Sequence, residues 1–498
     1  MVEPAAALCM ARQRYVSCLI AHCGLFMIDS HIFREYDIRG DVRTQLTSDV
    51  AGRIGHALAM SHFPIGSELV VGRDARTHSP DIQHALMSGL NALGVYVTDL
   101  GQITTPMLYF ALFKRKCDGG VMVTGSHNPV NDNGLKICRG TESFVRKDIE
   151  AVRDIVMDEK DGVGQGCAEC TGQTKSLDIA GEYEREILER VKPGRRIKIV
   201  IDAGNGVAGP YAKSLFAHYA SELTCLYCEP DGTFPHHHPD PSVAKNLADL
   251  QKAVIEKGAD LGLAFDGDGD RLGVVDKNGH IIPADHLIIL FAREILGRNR
   301  GATILGDVKC SKQTFDEIRL HGGDAVMTKT GHALIKAKIR ETHAALAGEM
   351  SGHFFFGDRW FGFDDALYAG ARMVEIAANA ADKGLSVSDL LADLLPTHAT
   401  PELRIDCPDD LKFDLSRAMY ELYSQKYPTS DLDGARIDFP NGWALIRASN
   451  TQPVIVMRVE ADSVASGNAI LEDLTSNIRA FAGSRGVQLC MDDLRMDN

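Results

Sequence analysis

Short apolar runs followed by helix-like stretches recur along this chain. Leu69-Val70-Val71 leads into a helix-like stretch over 82–93. Ile197-Lys198-Ile199-Val200-Ile201 ends in Asp202-Ala203-Gly204-Asn205-Gly206 and leads into another over 209–219. Thr303-Ile304-Leu305 leads into a third over 312–321. Strand–helix units in succession build α/β layers, so three α/β domains with mixed or mostly parallel sheets are expected. After Pro396 the pattern changes. Runs 402–407 and 435–460 read as strands around a helical stretch over 415–427, and 466–482 reads as a closing helix. That combination predicts a smaller α+β domain at the C-terminal end. The expected units are 27–177, 178–280, 281–396 and 397–498.

Composition narrows the class. A chain of 498 residues exceeds the size at which one core stops growing, about 250–300 residues, so several domains follow. Its 45% hydrophobic content is enough to pack them. The net charge of −15 argues against a nucleic-acid surface. Residues 1–26 are set apart as a leader. The stretch 15–28 is apolar after Arg12 and Arg14, as in a signal peptide, but His22 interrupts it and no small-residue cleavage site follows. It is also too short to span a bilayer. The leader is expected to be a start-site artefact or a disordered extension before Met27, and the protein to be cytoplasmic, with no membrane contact.

The twelve cysteines are too sparse for a disulfide scaffold. Cys167/Cys170 and Cys225/Cys228 invite a zinc reading, but the long separation of the pairs and the strand-like run Leu223-Thr224-Cys225-Leu226-Tyr227 favour reduced thiols. His236-His237-His238 sits among Phe234-Pro235 and Pro239-Asp240-Pro241 and reads as a loop rather than a ligand set.

Four loops carry chemistry. Thr124-Gly125-Ser126-His127-Asn128-Pro129 follows the buried strand Val121-Met122-Val123, and its glycine and proline turn the chain so that the Ser126 hydroxyl stands at a loop tip. A serine needs activation to act as a nucleophile, and His127, although adjacent, need not face it. Asp266-Gly267-Asp268-Gly269-Asp270-Arg271 follows the apolar run 261–265. Its three carboxylates, separated by glycines, can curl around one hard divalent cation. An EF-hand is excluded, because Arg271 stands where glycine is required and Lys277 where the bidentate glutamate belongs. Gly348-Glu349-Met350-Ser351-Gly352-His353 offers Glu349 and Ser351 on one side of a loop, suited to two sugar hydroxyls. Arg447-Ala448-Ser449-Asn450-Thr451-Gln452-Pro453 lies between strand-like runs and offers a guanidinium, hydroxyls and an amide to a phosphate. Each loop alone is also compatible with an ordinary polar turn. An anionic substrate would need a locally basic cleft, which Arg39, Lys136, Arg271, Lys309, Arg447 and His332 could supply.

The order of these loops resembles the α-D-phosphohexomutase superfamily, and within it the bacterial phosphomannomutase/phosphoglucomutase branch. The segments Phe33-Arg34-Glu35-Tyr36-Asp37-Ile38-Arg39-Gly40, Val71-Gly72-Arg73-Asp74, Asn131-Asp132-Asn133-Gly134-Leu135-Lys136, Asp307-Val308-Lys309-Cys310 and Lys329-Thr330-Gly331-His332 resemble it too. The resemblance implies four domains around a central cleft, one catalytic loop from each. It implies a phosphoryl group on Ser126, and Mg²⁺ held by Ser126, Asp266, Asp268 and Asp270. It places Lys136, His353 and Arg39 at the reacting hydroxyl, His127 and Arg271 beside them, and Tyr36, Lys309, His332, Glu349, Ser351, Arg447, Ser449, Asn450 and Thr451 on the substrate.

The implied reaction interconverts the 6- and 1-phosphates of mannose and glucose. Its intermediate, glucose 1,6-bisphosphate or mannose 1,6-bisphosphate, turns around in the cleft and also serves as activator. A monomer that binds small hexose phosphates is expected, feeding GDP-mannose or UDP-glucose synthesis. The phosphoglucosamine branch usually reads Ser-Ala-Ser-His-Asn-Pro at the serine loop, which differs here at Thr124 and Gly125. That branch, and a non-catalytic sugar-phosphate-binding protein on the same scaffold, are the alternatives.

Overall fold

The computed structural model describes residues 28–158, 171–449, 453–491 and 494–496. The leader 1–26 and the Cys167/Cys170 pair lie outside them. Four sheets follow one another along the chain.

The first unit comprises β1 (Asp37–Asp41), α1 (Ser48–Ser61), β2 (Glu68–Arg73), α2 (Ser79–Asn91), β3 (Tyr96–Gln102), α3 (Thr105–Arg115), β4 (Gly119–Val123), β5 (Asp132–Arg139), β6 (Glu142–Ser143), α4 (Arg146–Asp158) and β7 (Thr174–Ser176). Its strand order is β1-β5-β4-β2-β3-β7, parallel through β4, β2, β3 and β7 and antiparallel at β4–β5 and β5–β1. The second holds α5 (Ala180–Arg190), β8 (Ile197–Asp202), α6 (Gly209–Tyr219), β9 (Ala220–Leu226), α7 (Ala248–Lys257), β10 (Leu261–Phe265), β11 (Leu272–Asp276) and β12 (Ile281–Ile282), ordered β12-β11-β10-β8-β9. The third holds α8 (Ala284–Leu296), β13 (Thr303–Asp307), α9 (Lys312–Leu320), β14 (Asp324–Thr328), α10 (His332–Thr342), β15 (Leu346–Gly348), β16 (Phe354–Phe356) and α11 (Ala366–Ala381), ordered β14-β13-β15-β16. Both sheets are mixed, with an antiparallel hairpin on a parallel set.

The fourth unit is an antiparallel sheet: β17 (His398–Ala399), β18 (Leu403–Asp406), β19 (Thr429–Ser430), β20 (Ala435–Phe439), β21 (Gly442–Ala448) and β22 (Val454–Ala461), with α12 (Asp409–Tyr423) and α13 (Val464–Ser484). The molecule is thus three mixed α/β units and a smaller sheet-rich one. Helix α12 spans 409–423 rather than the expected 415–427. Pro408 leads into it, and Asp409 and Asp410 in the first turn complement the positive end of the helix.

The central strands are legible because they are covered on both faces. Every residue of β4 and of β10 is buried, which turns them into continuous apolar runs. One apolar core runs through the first three units, whereas the fourth has its own. A small cluster of Val308, Trp443 and Leu445 joins the third unit to the fourth. Among the described residues, no helix is long and apolar enough to cross a membrane.

Strand β9 ends at Leu226, so Cys228 lies just beyond it. Cys225 and Cys228 are both free thiols. The three histidines at 236–238 bond to protein groups: His236 to Asn205 at 2.8 Å, His237 to both Asp202 oxygens at 3.1 Å, and His238 to the His127 carbonyl.

Candidate active site

The serine loop leaves the C-terminal end of β4, where open α/β sheets place their sites. Asp74, at the end of β2, accepts from Thr124 Oγ1 (2.9 Å) and Gly125 N (3.0 Å), and the Ser126 amide donates to Thr124 Oγ1 at 2.8 Å. Ser126 itself is left-handed, φ 48°, an uncommon conformation for a side-chain-bearing residue. The loop pays for this by wrapping a buried guanidinium. Arg76 donates to the carbonyls of Ser126 (3.0 Å), Asn128 (2.5 Å), Pro129 (2.6 Å) and Asp132 (2.9 Å). Gly125 is needed beside it, since a Cβ there would stand 2.5 Å from Arg76 Cζ. The Ser126 hydroxyl reaches Asp266 Oδ2 at 2.9 Å and His127 Nδ1 at 3.0 Å, so the two adjacent side chains do meet. His127 is held neutral by burial and by Arg271 and Arg39.

The acidic loop leaves the end of β10. Asp266, Asp268 and Asp270 are fully buried, with one oxygen from each within 4.8 Å of the others. Asp266 Oδ1 closes the turn by accepting from Asp270 N (3.0 Å) and Arg271 N (3.1 Å), while Gly269 takes φ 76°. Asp268 Oδ2 accepts from Thr105 Oγ1 (2.5 Å) and Lys136 Nζ (2.8 Å), and Lys136 also reaches Asp270 Oδ2 at 2.5 Å. Thr105 is the first residue of α3, so a helix of the first unit braces the acidic loop of the second.

Burial and the charges of Asp270 and Asp268 push Asp266 well above the usual carboxylate range. Burial acts the same way on Asp270, but Lys136 and His353 hold it well below. Asp268 Oδ1 has no hydrogen-bond partner, and Asp270 Oδ1 faces only His353 Nε2, at 3.3 Å. Hard oxygen donors that converge, one of them unpaired, fit one divalent cation.

The loop over 348–353, expected from the sequence to grip a sugar and called the sugar loop for that reason, follows β15. Glu349 Oε1 accepts from Gly331 N at 2.7 Å, and Glu349 Oε2 lies 2.8 Å from His353 Nδ1. Ser351 Oγ lies 2.9 Å from the same nitrogen. His353 Nε2 is 3.3 Å from Asp270 Oδ1 and 3.3 Å from Arg271 Nε, which ties this loop to the acidic one. Burial opposes charge on His353, but Asp270 and Glu349 raise it to about 9; burial likewise opposes charge on Glu349, which His353 and Lys309 lower to about 2.

The remaining cations of the expected site pair with neighbouring side chains. Arg39 bonds Asp37 (2.6 Å) and Asn128 (3.1 Å), and Tyr36 packs edge-on against His332 with ring centroids 5.0 Å apart. Lys309 Nζ sits 3.1 Å from Glu402, and Arg447 Nε sits 3.2 Å from Asp433. Asp433 also accepts from Thr330 N at 3.1 Å, so the guanidinium of the fourth unit is pinned to the third. Ser449 is buried at the end of β21. Asn450 and Thr451 lie outside the described residues. The structure therefore gathers residues from all four units. It also adds Arg76, Thr105 and Asp433, for which the sequence holds little signal, because their partners are backbone or acidic groups far along the chain.

Four family models match in order: phosphoglucomutase/phosphomannomutase alpha/beta/alpha domain I at 30–162, domain II at 181–279, domain III at 283–398 and the C-terminal domain at 402–476. The chain is 45% identical over 440 residues to a phosphoglucomutase of Neisseria meningitidis, covering 87% of this chain and 94% of that one. It is 44% identical over 439 residues to the phosphomannomutase/phosphoglucomutase of Pseudomonas aeruginosa, covering 88% and 93%. A solved phosphoglucomutase/phosphomannomutase family protein of Burkholderia thailandensis superposes with a TM-score of 0.83 at 41% identity, covering 93% of this chain and all of that one. With four models in order, relatives matched over most of both chains, and a serine, an acidic triad and a sugar loop converging at one site, the chain belongs to the phosphoglucomutase/phosphomannomutase family.

Proposed function

We propose that the protein is a hexose phosphate mutase that interconverts the 6- and 1-phosphates of mannose and of glucose through a phosphoryl group carried on Ser126. The observation that carries this reading is the Ser126 hydroxyl, 2.9 Å from Asp266 within a buried acidic triad that Lys136 clasps. In the forward half-reaction the P–Oγ bond of phosphorylated Ser126 breaks and a new P–O bond forms to the free sugar hydroxyl. The hydroxyl proton ends on Ser126 Oγ. The resulting 1,6-bisphosphate reverses its orientation, and the second half-reaction returns its other phosphoryl group to Ser126.

Asp266, Asp268 and Asp270, with Ser126, would hold Mg²⁺, which supplies charge neutralisation for the phosphoryl oxygens. Lys136 and His353 are assigned to proton exchange with the reacting oxygens. Burial lowers Lys136, but Asp268 and Asp270 hold it above its ordinary value, and His353 is likewise cationic, so both stand in the acid form. By microscopic reversibility the same group in its base form serves the opposite transfer. Arg39, bonded to the serine loop through Asn128, orients the hydroxyl, and Arg271 stands beside His353 at the same site. Glu349 and Ser351 take sugar hydroxyls. Lys309, His332, Tyr36, Arg447 and Ser449, with Asn450 and Thr451, take the distal phosphate and ring. Action as a monomer in a cytoplasmic setting is part of this reading.

Phosphorus NMR tests the reading. With Mg²⁺ and a trace of glucose 1,6-bisphosphate, mannose 1-phosphate and glucose 1-phosphate are expected to convert to 6-phosphates, with glucosamine 1-phosphate slow. Ser126→Ala is expected to abolish turnover while retaining substrate binding. Parent-rate turnover by Ser126→Ala would overturn the phosphoserine scheme.

A further inference from the structure

Behind the sugar loop lies a buried polar cluster of which the mechanism above uses only His332. Asp364 stands just before α11, bridged to Phe355, with no exposed surface. Neither of its carboxylate oxygens has a hydrogen-bond partner, and neither does either nitrogen of His332. His332 and Lys336 lie one turn apart on α10 and both face this carboxylate. Lys336 Nζ is 3.3 Å from Asp364 Oδ1 and 3.8 Å above the ring of Tyr109, which anchors it from the first unit. His332 Nδ1 is 3.9 Å from Asp364 Oδ2.

We infer that Asp364 is a positioning residue: it accepts a hydrogen bond from His332 Nδ1–H and so leaves the Nε2 lone pair free for a substrate hydroxyl. What approaches Nε2 rests on the mutase reading; the Asp364–His332 pairing does not. Buried polar groups are rarely left unpaired, and Asp364 Oδ2 and His332 Nδ1, which face each other and have no other hydrogen-bond partner, are marked as each other's. Closing 3.9 Å to hydrogen-bond range takes about 1 Å, and such bonds are often long before substrate binds. Lys336 already balances one carboxylate oxygen, which leaves the other for the imidazole.

Burial, with Lys336 and Lys136 nearby, keeps His332 neutral, so one nitrogen carries hydrogen and its neighbour decides which. A carboxylate only accepts, and therefore selects Nδ1–H. One oxygen of Asp364 also comes within 4.8 Å of His353 and Asp270, a grouping that resembles a second cation site. The Lys336 ammonium supplies that positive charge from within the chain.

The test uses the full chain with ¹⁵N-labelled histidine, His332→Gln identifying the His332 signals. The parent is expected to show the Nδ1–H tautomer. In Asp364→Asn the amide donates to Nδ1 and forces hydrogen onto Nε2. The tautomer is expected to invert, with kcat for glucose 1-phosphate falling about 10²-fold. Asp364→Glu, which keeps the acceptor, is expected to recover the parent tautomer and much of the rate. An Nε2–H tautomer in the parent overturns the inference, even if Asp364→Asn fails to fold. So does an unchanged tautomer in Asp364→Asn, which would reduce Asp364 to a charge partner of Lys336. An inverted tautomer with unchanged kcat overturns the role in the reaction. A parent inactive on hexose phosphates would fail the mutase reading instead, and the spectrum would still report the pairing.

Discussion

Gly267 shows how closely two loops approach at the site. A Cβ on this residue would overlap the Ser126 carbonyl oxygen, a backbone atom that Arg76 fixes from the other side. No rotamer relieves that overlap, so the acidic loop would have to retreat from the serine. Gly267→Ala is expected to fold with a loss of about 1–3 kcal/mol, as for other overpacked sites. Its mutase rate should fall by about 10²-fold, because the reacting groups no longer align. Melting curves read beside the phosphorus NMR assay check both. A variant with parent activity would show that the close approach is incidental. The glycines and aspartates of this loop were readable in order along the chain. Arg76 was not, because backbone carbonyls carry no residue-type signature and its partners lie about fifty positions away.

Elements deliver the loops. The serine, acidic and sugar loops each leave the C-terminal end of a buried strand, β4, β10 and β15, and the last loop joins β21 to β22. Those strands announced themselves as apolar runs. Helix α11 was not read from the sequence, although most of its residues are buried.

The joint between β13 and β18 carries a pH prediction. Lys309, after β13, pairs with Glu402, before β18, and that carboxylate side chain is 30% exposed. Burial pushes Glu402 up, but Lys309 and Arg404 pull it down to about 2. A depressed carboxylate stabilises the fold above its unfolded pKa and loses that contribution as pH falls through the folded one. The pair's share, about 1–2 kcal/mol after allowance for solvent screening, is therefore complete above about pH 5 and fades toward pH 2. Glu402→Gln should melt earlier than the parent at pH 7, and the difference should vanish toward pH 2. A pH-independent difference would locate the effect in packing instead.

At the scale of the molecule, the fourth unit holds the loop that carries Lys309. Arg436 donates to the carbonyls of Val308 and, at 2.9 Å, Cys310, while Arg458 donates to Lys309 O at 2.6 Å and to Asp285 at 3.2 Å. Arg436 stacks 3.8 Å over Trp443, whose indole donates to Glu460 at 3.0 Å, and Ser311 completes the set on the same carboxylate at 2.6 Å. These polar contacts span a joint with little shared apolar core, so they fix where Lys309 stands relative to the fourth unit. Arg458→Met is expected to raise KM for hexose phosphate by about tenfold with a smaller change in kcat, since binding geometry rather than the reacting bonds is disturbed. A shift of Trp443 fluorescence should accompany it. An unchanged KM would mean that Lys309 holds its place without this clamp.

Local chemistry determined much of this protein from sequence alone. A buried strand must be apolar, and a loop that carries a serine or a cation cage must place particular side chains beside glycines. These constraints act between neighbours in the chain, so they can be read along it. Tertiary structure alone decided which loops meet, that Thr105 and Lys136 clasp aspartates of the next unit, and that Asp364 faces His332 with one oxygen and Lys336 with the other. Those contacts join residues far apart along the chain. Their energies depend on distance and burial, which exist only once the units have docked.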